Sequence, residues 1–111
     1  MGFATTRKRR SAAYGRGLNT DKPKTFLVES YVRQLDEPRA AAIARRVEEA
    51  AADLHRSGLA IVWLRSLALL GEETCFCLFS AQKVDDVIAA GRRAGLDFDH
   101  ITEVVSIEPV T

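Results

Sequence analysis

Few residues in this sequence of 111 belong to the types that usually mark a covalent framework or a cofactor site: it has two Cys, one Trp and two His. Two Cys are too few for the disulfide framework that stabilises small secreted domains. The basic stretch at residues 7–10 is not followed by the apolar segment that a signal peptide requires. Both observations predict a reducing, cytoplasmic compartment.

Long apolar runs and known catalytic motifs are also missing. The densest apolar passage is interrupted by Arg65 and Gly71, so it is far shorter than the roughly 20 residues of a membrane-spanning helix. The sequence contains no Gly-rich phosphate loop, no nucleophile elbow, and no Ser-His-Asp or His-Glu-x-x-His set. The catalytic residues of any activity are therefore unknown from the sequence.

Charge is divided unevenly along the chain. Residues 1–24 carry seven basic side chains and one acidic one, whereas residues 25–111 carry nine basic and 14 acidic ones. The first segment also lacks hydrophobic periodicity, which predicts a flexible, disordered basic arm over 1–24 and one folded domain over 25–111. Such an arm suits nucleic acid or an anionic membrane as a partner. The acidic body has no basic face to extend that contact, so we do not favour it.

The pattern of apolar residues predicts alternating strands and helices. Runs rich in β-branched and aromatic residues predict strands at 25–33, 59–70, 74–80 and 100–108. Apolar residues at helical spacing predict two helices, after the first and third strands. The side chains predicted to be buried on these helices are Ile43, Val47, Ala50, Ala51 and Leu54, then Val84, Val87, Ile88 and Ala94.

The ends of these elements carry residues that favour caps and turns. Asp36 and Ser80 are the predicted N-caps of the helices, and Gly58 and Gly95 their predicted C-terminal stops. Gly71 is available for a positive φ in the turn of a hairpin. The order β-α-β-β-α-β predicts an α+β, ferredoxin-like fold: a four-stranded antiparallel sheet with both helices on one face, in which the first strand lies between the third and the fourth.

The second predicted strand indicates how the domain assembles. Two helices cover one sheet face, so a strand with a wet face should alternate apolar and polar residues. This strand is apolar on both sides. Strict alternation divides it into Ile61, Trp63, Leu67 and Leu69 on one side and Val62, Leu64 and Leu70 on the other. Because a large exposed apolar face usually marks an interface, we expect a homodimer formed through the sheet face.

Cys75 and Cys77 lie two residues apart on the third predicted strand and share a face. Their Cβ atoms would be about 7 Å apart, too far for a disulfide or the close sulfur pair of a tetrahedral zinc site. No second Cys motif is present to complete such a site. Burial as small apolar side chains is the interpretation we favour.

Arg65 is a lone charge in an apolar strand, and a buried guanidinium needs carboxylate acceptors. Glu29 and Glu103, in the first and last strands, are the available acids, and we expect them to lie side by side. An Arg with two acids in an apolar cleft is either a ligand-binding or acid/base site, or a structural salt bridge. We favour the salt bridge.

The two histidines differ in what their positions indicate. His100 follows Asp97 and Asp99, so oxygen and imidazole ligands for a metal come together there. A solvated turn is the alternative that we favour. His55 falls in the last turn of the first helix, where a cation is stabilised by the helix dipole, and we interpret it as a cap.

Four passages, "FLVES", "VWLRS", "TCFCLF" and "RAGLDFDHITEV", together resemble a family of small ferredoxin-like proteins described as nickel-binding, many of whose members have no assigned function. The resemblance covers about residues 25–108. It implies a dimeric binding protein with Ni²⁺ or another divalent metal as cofactor. Mapped position by position, it implies roles for Glu29, Trp63, Cys77 and Glu103.

One position departs from the family. Its members commonly have His after Trp-Leu, where this chain has Arg65, and a guanidinium cannot ligate a metal. The predicted ligand-binding residues are Glu29, Trp63, Arg65, Cys77 and Glu103, and the predicted metal ligands are His100, Glu29 and Glu103. The ligand is then a metal ion or a small anion. The alternative function is a dimeric α+β-barrel-like enzyme, of monooxygenase or isomerase type, acting on a small organic substrate.

Overall fold

The computed structural model of the chain describes residues 22–110. Its elements are β1 (Lys24–Tyr31), α1 (Glu37–Arg56), β2 (Val62–Leu69), β3 (Thr74–Ala81), α2 (Val84–Ala94) and β4 (His100–Val104). The strands form one antiparallel sheet in the order β2-β3-β1-β4. The ferredoxin-like prediction is confirmed, including the position of β1 between β3 and β4.

The predicted basic arm falls almost entirely on residues 1–21, which lie outside the described residues. β1 begins at Lys24, the last residue that the sequence assigned to the arm. Neither helix of residues 22–110 combines the length and the hydrophobicity needed to cross a bilayer.

Helix α1 begins and ends as its sequence predicts. The Asp36 carboxylate accepts a hydrogen bond of 2.9 Å from the backbone N–H of Arg39, which satisfies one of the free donors of the first turn. After the last turn Gly58 has φ 108° and donates its N–H to the carbonyl of His55. The buried side chains of the helix are Ile43, Val47, Ala50 and Ala51, all of them predicted.

Helix α2 differs from its prediction. Ser80 does not cap it, because β3 continues to Ala81 and the helix begins at Val84, after an N-cap at Lys83 that makes no side-chain hydrogen bond. The helix ends as predicted at Gly95, with φ 68°. Its buried stripe consists of Asp86, Val87, Ala90, Gly91 and Ala94, whereas the predicted Val84 and Ile88 are 40% and 37% exposed.

The two helices are joined by an arginine that spans both of them. Arg46 on α1 donates hydrogen bonds from Nε and Nη2 to the carbonyl of Ala94 at 3.1 and 2.7 Å, and from Nη2 to the carbonyl of Gly95 at 3.0 Å. These carbonyls belong to the C-terminal end of α2, where no intrahelical partner is left for them. The guanidinium therefore caps α2 from its neighbour.

The turn between β2 and β3 contains a 3-10 helix, Leu70–Glu72, and its positive φ falls on Glu73 rather than on Gly71 as predicted. Glu73 has φ 50° and two partners in the loop after β1. Its carbonyl accepts the N–H of Val32 at 2.8 Å, and its carboxylate accepts the N–H of Gln34 at 2.6 Å. These bonds hold a non-glycine residue in the left-handed region.

An irregularity in β2 decides which side chains lie on which face of the sheet. The pairing of β2 with β3 shifts between Trp63, which pairs with Phe79, and Arg65, which pairs with Leu78. The extra residue is Leu64, and such a bulge reverses the alternation beyond it. Leu67 and Leu69 therefore lie on the other face from Trp63, contrary to the strict alternation assumed from the sequence.

The core lies between the helices and one face of the sheet, here called the inner face. It is lined by Phe26, Val28 and Ser30 of β1, Cys75, Cys77 and Phe79 of β3, and the half-buried Trp63 of β2. The other face, here called the open face, is covered by no element of residues 22–110. It carries Leu27, Glu29, Arg65, Leu67, Leu69, Phe76, Leu78 and His100.

Candidate functional site

The register of the sheet brings two of the predicted metal ligands together. Glu29 on β1 and His100 on β4 are direct partners in the ladder and share the open face. Side chains opposite each other in an antiparallel pair have Cβ atoms about 4.5–5.5 Å apart. A carboxylate and an imidazole therefore lie within reach of one bound ion.

Tyr31 holds the Glu29 carboxylate in place. Its hydroxyl donates a hydrogen bond of 2.9 Å to Glu29 Oε2, and its ring lies edge-on to the imidazole of His100, with centroids 6.2 Å apart. The bond to the Glu29 carboxylate stabilises the neutral phenol and raises the pKa of Tyr31 above its usual 10.0. Tyr31 was not predicted, although its spacing of two residues from Glu29 on one strand would have placed it on the same face.

Asp99 fixes the entry of the chain into β4. Its N–H donates to the carbonyl of Glu29 at 2.9 Å, and its carboxylate accepts the N–H of Tyr31 at 2.9 Å. Asp99 therefore satisfies backbone groups of β1. Its side chain positions His100 opposite Glu29 by fixing the start of the strand.

Glu103 does not join this cluster. It pairs with Phe26, a residue of the inner face, and so lies on the opposite side of the sheet from Glu29. The expectation that Glu29 and Glu103 lie side by side is wrong, because Glu103 lies three positions after His100 and an odd spacing on a strand changes the face. The register leaves His100, rather than Glu103, beside Glu29.

Arg65 lies on the open face but in another row of the sheet. It pairs with Leu78, its side chain is exposed, and it forms no ion pair with any carboxylate of residues 22–110. The described ion pairs instead join Asp53 to Arg56 and to Arg93. The favoured salt bridge between Arg65 and a strand carboxylate is therefore absent from this part of the chain.

Trp63 and Cys77 belong to the inner face, away from Glu29 and Arg65. The indole N–H of Trp63 donates to Ser66 Oγ at 3.0 Å, and Ser66 donates to Cys77 Sγ at 3.1 Å. The five predicted ligand-binding residues thus do not line one cleft. The sequence missed Ser66 because the bulge at Leu64 turns it toward Cys77.

The two cysteines are free thiols in the core, as the sequence predicts. A hydrogen bond from Cys77 lowers the pKa of Cys75 to about 7. The same bond, together with burial, raises the pKa of Cys77.

A groove of about 380 Å³ opens between α1 and the start of β2. It is lined by Glu48, Ala51, Ala52, His55, Arg56, Ile61, Val62 and Trp63. Arg65 is not part of its wall. A pocket with Arg65 at its base, which would favour the small-anion and enzyme hypotheses alike, is not formed by this groove, and the enzyme alternative stays a prediction.

The comparisons with known proteins identify the family. A family model described as nickel responsive protein SCO4226-like matches residues 26–104. The chain belongs to this family. SCO4226 itself, from Streptomyces coelicolor A3(2), has a crystal structure similar to this SCO4226-like chain, with a TM-score of 0.60 and 18% sequence identity over 75% of this chain and 99% of the other. At that identity the likeness concerns the fold. No curated protein matches the chain.

The family membership confirms the resemblance inferred from the sequence. The part of this SCO4226-like chain that the structure describes has no group of three or more His, Cys, Asp or Glu side chains placed to hold a metal ion. Glu29 and His100 are thus a pair of donors. A metal site built on them needs further ligands from elsewhere.

Proposed function

We propose that this SCO4226-like chain is a small binding protein that works as a homodimer and takes up a divalent metal at its open sheet face, with nickel as the first candidate. The single observation that carries this proposal is the register pairing of Glu29 with His100 on a face that no element of residues 22–110 covers. The name of the family, nickel responsive, gives the choice of metal.

The dimer is supported by the apolar side chains of the open face. Leu67 and Leu69 are 53% and 43% exposed, and Phe76 and Leu78 next to them are half-buried. Contiguous apolar surface of this kind is unusual on a monomer and is removed from water when two sheets pack face to face. A second copy of the chain is the partner whose surface matches, because a two-fold interface joins the same patch of both subunits.

The dimer also supplies the missing metal ligands. Glu29 and His100 lie in the same row of the open face as Leu67 and Phe76, so they belong to the surface that a second copy would cover. Two copies contribute two imidazoles and two carboxylates. Imidazole and carboxylate are suitable donors for first-row divalent metals. The Tyr31 hydroxyl supports these ligands without binding the metal, because its hydrogen bond orients the Glu29 carboxylate.

Native mass spectrometry with and without added Ni²⁺ tests both parts of the proposal. We expect a dimer that gains stoichiometric metal. Glu29→Gln and His100→Asn should each abolish the uptake, because each removes a donor from both copies. Glu103→Gln is the matched control, since Glu103 is an exposed carboxylate of the same strand on the opposite face.

Two results would contradict the proposal in different ways. A monomer at micromolar concentration would remove the dimer and with it the source of additional ligands. A dimer whose nickel uptake is lost in Glu103→Gln but kept in Glu29→Gln would leave the interface in place and move the metal to the other face.

A further inference from the structure

Cys75 and Cys77 pack in the core at the inner face, and the metal proposal for the open face gives their thiols no role. Both are about 1% exposed and neither is in a disulfide. Cys77 pairs in the ladder with Ser66 on β2, and Cys75 with Ser30 on β1. Each thiol therefore has a serine of an adjacent strand beside it on the same face.

The hydrogen bonds of this cluster have one direction. An indole N–H can only donate, so Ser66 Oγ accepts from Trp63 and keeps its own hydrogen for Cys77 Sγ. Cys77 in turn interacts through its side chain with Cys75. The two side chains lie two residues apart on the same face, so rotation about their Cα–Cβ bonds brings the sulfur atoms closer than the roughly 7 Å spacing of such positions on a strand. The donors therefore run from Trp63 through Ser66 to Cys77.

Ser30 is the unexplained member of the cluster. Its Oγ is buried and has no hydrogen-bond partner among the described residues, although Ser30 is only 1% exposed. Buried hydroxyls without a partner are destabilising and rare in native structures. Ser30 pairs with Cys75 in the ladder, so rotation about its Cα–Cβ bond turns this hydroxyl toward the Cys75 sulfur.

We propose that Cys75 and Cys77 bind one soft monovalent cation, Cu(I) or Ag(I), between their two sulfur atoms. Thiolates select such cations over harder ones. With the zinc–thiolate bond of about 2.3 Å as a guide, a linear sulfur–metal–sulfur unit spans about 4.6 Å. This span is shorter than the spacing of the strand, and the two thiols reach it when their side chains, which share one face, rotate toward each other. Two ligands suffice for this geometry, and within residues 22–110 no third His, Cys, Asp or Glu joins them.

The negative charge of the metal-bound thiolates explains why a serine hydroxyl lies beside each cysteine. Each thiol loses its proton as its bond to the cation forms, so two protons are released and the unit carries one net negative charge. No electron is transferred. The Ser66 hydroxyl already donates to Cys77, and the Ser30 hydroxyl is on the same face as Cys75 to donate there. Each sulfur then has one hydroxyl that stabilises its charge.

The position of Cys75 near the hairpin turn allows a cation to reach the buried thiols from solvent. It is the second residue of β3, directly after the turn that closes the hairpin with β2. β2 is the edge strand of the sheet. Local opening of this end exposes Cys75 without unfolding the domain.

Trp63 provides the measurement, because it is the only Trp of the chain and lies one hydroxyl away from Cys77. The full chain is titrated with Ag(I), and with Cu(I) under anaerobic reducing conditions, while Trp fluorescence and bound metal are recorded. We expect quenching that saturates at one cation per chain. Cys75→Ala and Cys77→Ala should each abolish it, and Ser30→Ala should weaken binding about tenfold.

Controls separate this site from the open face. Glu29→Gln and His100→Asn should bind Ag(I) with the affinity and stoichiometry of the unmodified chain, independently of their effect on nickel uptake. Thermal unfolding shows which variants are folded, and Cys75→Ser and Cys77→Ser replace any alanine variant that is not. Absence of saturation at one cation per chain, or full binding by a folded variant that lacks Cys77, would overturn the proposal.

Discussion

Glu29 and His100 face each other across the β1–β4 ladder, and the hydroxyl of Tyr31 holds the Glu29 carboxylate at 2.9 Å. Two candidate metal ligands, Glu29 and His100, thus lie beside a tyrosine that orients one of them. This arrangement also makes the phenol of Tyr31 a reporter of the charge on Glu29.

Glu29→Gln should lower the pKa of Tyr31. The carboxylate raises this pKa by accepting the phenolic hydrogen and by its negative charge, and the amide keeps an acceptor but loses the charge. A spectroscopic pH titration of the phenolate in a Tyr14→Phe background measures Tyr31 alone. An unchanged midpoint would mean that the hydroxyl does not interact with Glu29 in solution.

Cys77→Ala should raise the pKa of Cys75 from about 7, because the bond to Cys77 is the main cause of the lowered value and burial acts in the opposite direction. The ultraviolet absorbance of the thiolate, followed against pH, gives the midpoint. Cys75→Ala is the control and should remove the ionisation near neutral pH altogether. If that ionisation persists in Cys75→Ala, it belongs to Cys77 instead.

Arg46→Ala should lower the free energy of unfolding by about 1–2 kcal/mol, because it leaves the last carbonyls of α2 without their charged donor. Urea denaturation followed by circular dichroism measures the change. Arg45→Ala, an exposed neighbour on the same helix, should stay within about 0.5 kcal/mol of the parent. Equal losses in the two variants would exclude the capping role.

Gly91→Ala should destabilise the domain although alanine favours helices. A Cβ at this position would lie 2.8 Å from the ring of Phe98, which in turn packs on Phe79 at a centroid distance of 6.0 Å. The overpacking costs about 1–3 kcal/mol and exceeds the gain in helix propensity of about 1 kcal/mol. In a Phe98→Leu background the same change should cost less, and equal cost in both backgrounds would exclude the ring as the cause.

Leu67→Lys should convert the proposed dimer to a folded monomer, since it places a charge in the apolar part of the open face. Sedimentation velocity measures the molecular mass, and circular dichroism checks the fold. Ile88→Lys is the matched control, because Ile88 is a partly exposed apolar residue on α2, in the other layer. Dissociation by Ile88→Lys alone would place the interface on the helices.

Much of the fold was predictable because its signals are local. The Asp36 cap, the Gly58 and Gly95 stops and the buried stripe of α1 depend on residues within one or two turns of each other. The order of the elements then leaves few topologies. Even the apolar open face was expected, although the side chains assigned to it were not all correct.

The errors came from interactions between segments distant in sequence. Glu73 adopts a positive φ because the loop after β1 bonds to it from about 40 positions away, as Gln34 shows with its bond to the Glu73 carboxylate. The partner of Glu29 depends on the register of β4, which a spacing pattern within one strand cannot give. The sequence could therefore suggest metal-ligand candidates by residue type, but it could not assign them to a face of the sheet.

The bulge at Leu64 has a consequence for comparing this chain with its relatives. In a relative whose second strand is regular, the residue two places after the tryptophan points toward the helices, whereas here that residue is Arg65 and points away from them. Position-by-position equivalence breaks down at this point of the strand. Two side chains at the same position of a sequence alignment would then lie on opposite faces of the sheet, although the two domains superimpose elsewhere.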